Sequence, residues 1–196
     1  MPSEFLMKEY EMCFEQLRFY DTRQEELLKY MFTLTSAAAA AQFAVLQFLG
    51  KASTIFFNAQ GFFCLVVFIA TLLLYLMMLQ NRLYFVFVTR QVNAVRKHLL
   101  ETDAPAFGDN RMWLASDFPA FKWRSVHTFQ MVGAVMISAL FAAAAAFGCL
   151  RAVSCGCASV AAAIVFIVVG ITEALGGALH LTRKGAWSAD EATHQK

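Results

Sequence analysis

Apolar residues along the chain fall into two kinds of pattern. The first is the long continuous run, and four occur: YMFTLTSAAAAAQFAVLQFLG (Tyr30 to Gly50), FFNAQGFFCLVVFIATLLLYLMML (Phe56 to Leu79), TFQMVGAVMISALFAAAAAFGCL (Thr128 to Leu150) and ASVAAAIVFIVVGITEALGGALHL (Ala158 to Leu181). A helix crosses the hydrocarbon core with about 20 mostly apolar residues. The pattern therefore predicts transmembrane helices over 30–50, 56–79, 128–150 and 158–181.

The second pattern is the heptad stripe, whose spacings alternate between three and four as helix-on-helix packing requires. One stripe, Leu6, Tyr10, Cys13, Leu17, Tyr20, Gln24, Leu27 and Met31, precedes the first run. The other, Phe85, Val88, Val92, Val95 and Leu99, follows the second. Charge changes how they are read. Residues 3–28 carry seven acids and three bases; residues 80–101 carry Arg82, Arg90, Arg96 and Lys97 against Glu101 alone. One stripe leads toward the membrane and the other away from it. An antiparallel pair of opposite charge is expected, with the basic face of Arg82, Arg90, Arg96 and Lys97 lying off the seam. The competing expectation is a basic helix lying flat on anionic head groups.

The expected fold class is all-α: a polytopic membrane protein of four transmembrane helices, with spans 1 and 2 extended into a cytosolic antiparallel helical hairpin, a coiled-coil-like pair. The organisation that follows is 1–29 cytosolic amphipathic helix, 30–50 first span, 56–79 second span, 80–127 cytosolic basic helix and aromatic loop, 128–150 third span, 158–181 fourth span and 182–196 cytosolic tail. Pro105, Gly108 and Pro119 punctuate the loop. Its Trp113, Phe118, Phe121 and Trp123 suit an interfacial anchor or a docking surface.

Lys and Arg counts give the direction. The two short turns hold one base each, Lys51 and Arg151, against fourteen elsewhere. The turns are expected outside, and both termini and the middle connection in the cytoplasm, of a bacterial inner membrane. The first residues, rich in Glu, do not read as a secretory signal.

Composition adds exclusions. The chain is 59% hydrophobic and 15% charged, with mean hydropathy +0.55; an average soluble domain has about 25% charged residues. A net charge of +2 is too small to imply nucleic acid. No phosphate loop, nucleophile elbow, zinc-protease helix or dinucleotide fingerprint occurs, so an enzyme is not expected, nor a cofactor.

Three groups of residues carry candidate chemistry. Glu173 lies in the fourth run, eight residues before Leu181, which puts it roughly 12 Å in from that end. An acid at that depth is either protonated or solvated by polar neighbours. Gly170, Glu173 and Gly177 share one face, so this face is expected to pack on another helix. Gln42, Thr71 and Ser138 lie at comparable depth and complete an expected intramembrane polar site, with a Glu173–Gln42 hydrogen bond as one way to satisfy it. Such a site suits either a staple for the bundle or a proton or cation path.

The second group is an outward thiol cluster, Cys149, Cys155 and Cys157, in GCLRAVSCGC. A disulfide, 149–155 or 149–157, is the first expectation. Soft-metal binding is the second. A quinone-linked thiol relay is the third, although the membrane thiol oxidases it brings to mind use a cysteine pair in each of two outward loops and KASTIFFN has none. The third group, His127 and His180, stands at the ends of spans and is expected to be interfacial. Runs Ala37–Ala41 and Ala142–Ala146 permit close helix approach.

In outline the chain resembles many small bacterial membrane proteins, among them membrane effectors of defence systems. The expected function is a non-enzymatic membrane module that works as a homo-oligomer or as the membrane subunit of a complex. Its expected partners are the lipid bilayer and a cytosolic protein received by the hairpin. A small proton-coupled transporter using Glu173, and an outward-facing thiol or metal handler, are the alternatives.

Overall fold

The computed structural model describes residues 4–49, 54–103, 118–153 and 156–194. Four helices account for nearly all of them: α1 (Glu4–Leu49), α2 (Thr54–Asp103), α3 (Val126–Ala152) and α4 (Ala158–His194). All four are long and apolar enough to cross a membrane. Pro is rare and none falls within the bounds of these four helices, so no proline interrupts their ladders. Helices α1 and α2 each continue without a break through an apolar run and its neighbouring stripe, and α4 runs on past Leu181 to His194, where the sequence suggests only a tail. Ser125 starts α3: its hydroxyl accepts from the Thr128 backbone N–H at 3.2 Å, satisfying one of the orphan donors of the first turn.

The chain divides into two units. The first comprises Met1–Glu25, Leu79–Trp123 and Leu179–Lys196. Its core is Cys13, Val88 and Val92, with Tyr10, Phe14, Leu17 and Tyr20 packed against it. The two stripes meet antiparallel: Asn81 donates to the Tyr20 carbonyl at 2.8 Å and to Gln24 Oε1 at 3.0 Å, whereas Arg96, four turns on, donates to the Tyr10 hydroxyl at 2.9 Å. Glu9 accepts from Gln91 between them. Burial, followed by the charge of Glu9 and its hydrogen bond, pushes the Cys13 thiol up, so Cys13 packs here as a small neutral residue.

The second unit comprises Glu26–Met78 and Arg124–Ala178. Its core gathers Ala38 from α1, Cys64 and Val67 from α2, and Phe141 and Ala145 from α3. Half of the apolar window of α3 is buried, against 6% for α4. Small side chains explain the difference, because Ala134, Ala139, Ala142 and Ala143 let neighbours approach α3 from several sides. The tightest approach is between α2 and α3 at Gly61 and Gly148. A Cβ added to Gly148 would stand 2.7 Å from both the Cα and the N of Gly61 and 2.9 Å from the Phe57 carbonyl oxygen. One turn away Arg151 lies over the Phe57 ring, 5.6 Å from its centroid.

Candidate functional site

Three helices of the second unit converge on Glu173. From α3, Ser138 donates its hydroxyl to Glu173 Oε1 at 2.8 Å. From α2, Tyr75 donates its hydroxyl to the Glu173 backbone carbonyl at 2.9 Å. Ser138 and Tyr75 are both buried. The second carboxyl oxygen, Oε2, is shielded from solvent and has no hydrogen-bond partner among the described residues. Gly170, one turn before Glu173, also lies against α3, where an added Cβ would meet the Ala139 methyl at an ordinary 3.7 Å. The face marked by Gly170 and Glu173 therefore packs on α3, beside Ser138.

The four polar residues expected together are not one site. Gln42 donates to the Cys64 sulfur at 2.9 Å instead of pairing with Glu173. Thr71 is fully buried but donates back to the Phe68 carbonyl of its own helix at 2.9 Å. A buried threonine hydroxyl in a helix commonly takes this route, because the carbonyl one turn earlier is the nearest acceptor. Ser138 alone of the expected partners reaches the acid. Tyr75 was missed. The signal was present, since Tyr75 stands four residues after Thr71 and so on the same helical face. Gln42 lines a different feature, a cavity of about 190 Å³ between α1 and α2 bordered by Val45, Phe56, Gln60 and Phe63.

Cys149 and Cys157 are exposed thiols and form no disulfide with each other. Cys155 lies outside the described residues. Among the described residues no group of three or more His, Cys, Asp or Glu is placed to hold a metal ion.

The four basic residues expected to form one face off the seam, Arg82, Arg90, Arg96 and Lys97, have different surroundings. Arg82 is only 3% exposed. Its Nε donates to the Ala120 carbonyl at 3.3 Å, and its guanidinium lies over the rings of Phe85 and Phe118 at 5.3 and 5.7 Å. Burial pushes its pKa down to about 10, which leaves it charged at neutral pH. Arg90 is half-buried and forked: Nε donates to the Phe118 carbonyl at 3.0 Å and a terminal nitrogen to the Gly185 carbonyl at 2.6 Å. Arg82 and Arg90 stand eight residues apart, on one face of α2. The segment around Phe118–Ala120 lies on that face, and Gly185 of α4 joins it with no room for a Cβ, which would stand 2.7 Å from that of Ala120. Arg96 is half-buried over Tyr10 and Phe14, and Lys97 is exposed. Of the loop aromatics, Phe118 covers Arg82, Phe121 and Trp123 meet edge to face at 6.2 Å, and Trp113 lies outside the described residues. Charge period alone could not reveal this, because the acceptors are backbone carbonyls of remote segments.

No protein-family model, curated protein or solved structure matches this chain.

Proposed function

We propose that the chain is a four-span integral membrane protein of a bacterial inner membrane, with both termini cytoplasmic, that works as a non-enzymatic oligomeric module. The unit of Met1–Glu25, Leu79–Trp123 and Leu179–Lys196 is the cytosolic input for a partner or signal. The apolar unit is the membrane output, which assembles or opens a path in response.

The observation that carries this reading is the division of chemistry between the two units. The first is packed through arginine–ring contacts, amides and a small apolar core, and most of the Lys and Arg residues fall in it. The second is packed through alanine, glycine and aliphatic groups, and it buries only 6% of the apolar window of α4, whose face away from Gly170 and Glu173 is exposed. Such a surface suits lipid or further copies, and the unit that holds most of the Lys and Arg residues suits the cytoplasmic side, because orientation follows those residues and not net charge. Stable multimers are expected when the protein is purified in mild detergent and examined by native mass spectrometry. A strict monomer under every detergent condition would sink the proposal.

A second reading, proton-coupled transport, is favoured by one specific feature. Ser138 holds Glu173 Oε1 while Oε2 is shielded and meets no hydrogen-bond partner among the described residues, an arrangement that suits a group which gains and loses a proton. Glu173→Gln keeps the hydrogen bond to Ser138 and removes the titration. In proteoliposomes loaded with a pH-sensitive dye, this variant is expected to lose proton flux to background while keeping its helical content. Unchanged flux would rule out the carrier role and leave Glu173 as a staple between α3 and α4.

A further inference from the structure

The stripe of α1 that meets α2 is not the only apolar stripe on that part of the helix. Phe5, Met12 and Phe19 recur every seven residues, and they are 73%, 46% and 56% exposed. A seven-residue step drifts by only ~20° around a straight helix, so the three side chains form one line. Cys13, next to Met12, is buried against Val88 and Val92, which shows that the line lies off the α2 seam. Three exposed acids, Glu4, Glu11 and Glu15, run along one border and outnumber its two exposed bases, Lys8 and Arg18. At one end the Arg23 guanidinium caps the Phe19 ring at 6.0 Å from the centroid.

We infer that this line is a docking seam for a basic amphipathic helix of a partner protein. The occupant presents apolar side chains at seven-residue spacing and Lys or Arg along the edge that meets Glu4, Glu11 and Glu15. Charge decides among occupants. A second copy offering the same seam would bring together two borders that each carry an excess of acid, and an excess of like charge across a helix pair is unfavourable. An anionic lipid surface would repel the same edge. A basic helix meets both the apolar line and its border. The identification rests on the reading of this unit as the input and names the partner that unit takes.

The test uses the full-length protein in nanodiscs of zwitterionic phosphatidylcholine. Two fluorescent peptides of about three heptads are titrated in, identical in their leucine line and differing only in having Lys or Glu edges. Fluorescence anisotropy is expected to report binding of the Lys-edged peptide, weakened by added salt, and none of the Glu-edged one. The double variant Phe5→Ser/Phe19→Ser changes only exposed positions. It should raise Kd by at least about tenfold while leaving helical content intact, since each aromatic ring contributes buried apolar area to the docked seam. Equal binding of both peptides, no binding of the Lys-edged one, or binding indifferent to the double variant would overturn the inference. So would loss of native multimers in that variant, which would assign the seam to a second copy. The oligomeric state of the unsubstituted protein, measured separately, tells failure of the module reading from failure of the seam.

Discussion

Gly148→Val is expected to abolish the folded bundle. The added atoms would fall within 2.7 Å of the Gly61 backbone, and backbone cannot swing aside as a side-chain tip can. Accommodation requires α2 and α3 to separate along this crossing, which would pull Cys64 and Val67 away from Phe141 and Ala145. Overpacking a core usually costs about 1–3 kcal/mol, and a backbone-to-backbone clash lies at the top of that range or beyond. The variant should aggregate on extraction, or unfold far below the wild type when thermal unfolding is followed by circular dichroism in detergent. Gly133→Ala supplies the control. It lies on the same helix with nothing within 4 Å of its added Cβ. There alanine should be neutral or stabilise by about 0.5–1 kcal/mol through its higher helix propensity. Equal tolerance at the two positions would show that the Gly61–Gly148 crossing does not govern stability.

Arg90→Lys is expected to free the segment that follows the loop, even though it conserves charge. A guanidinium donates from separate nitrogens at fixed angles, and Arg90 uses that fork to hold Phe118 and Gly185 together. Lysine carries its donors on a single nitrogen at a shorter reach and cannot reproduce the two separated donor positions. Hydrogen bonds from a charged donor contribute about 1.5–3 kcal/mol each, so the loss is a large part of what fixes this segment. Amide hydrogen exchange should rise around residues 118–125 and in α4 near Gly185. In the second unit, around Ser138 and Glu173, exchange should stay unchanged. Unaltered exchange near Gly185 would show that other contacts suffice to hold α4 there.

The four helices were legible because each rests on composition over more than twenty residues, and the stripes because their spacing is periodic. The pairing of Cys13 with Val88 and Val92 follows from that period. What escaped was set by single atoms at a distance. The acid at 173 was visible as an anomaly, but its partner depended on which hydroxyl the helix packing turned toward it. Thr71 found an acceptor in its own helix, and Ser138 reached across to Glu173. Gln42 was drawn away by a sulfur. The alanine runs announced close packing without saying that Gly61 and Gly148 would meet. The arginines were read as a charged face because their period is all that sequence displays. Their carbonyl acceptors, at residues 118, 120 and 185, carry no side-chain signature at all.

The burial of Arg82 bears on how the protein would endure harsh surroundings. A buried cation paired with a carboxylate is lost when acid neutralises its partner, and an exposed pair fades as ionic strength rises. Arg82 is held by an amide carbonyl and two benzene rings, none of which titrates. Its dehydration keeps counter-ions at a distance. A cell that acidifies or takes up salt under stress would therefore leave this contact intact, a durability that a pair of opposite charges at the same place would lack.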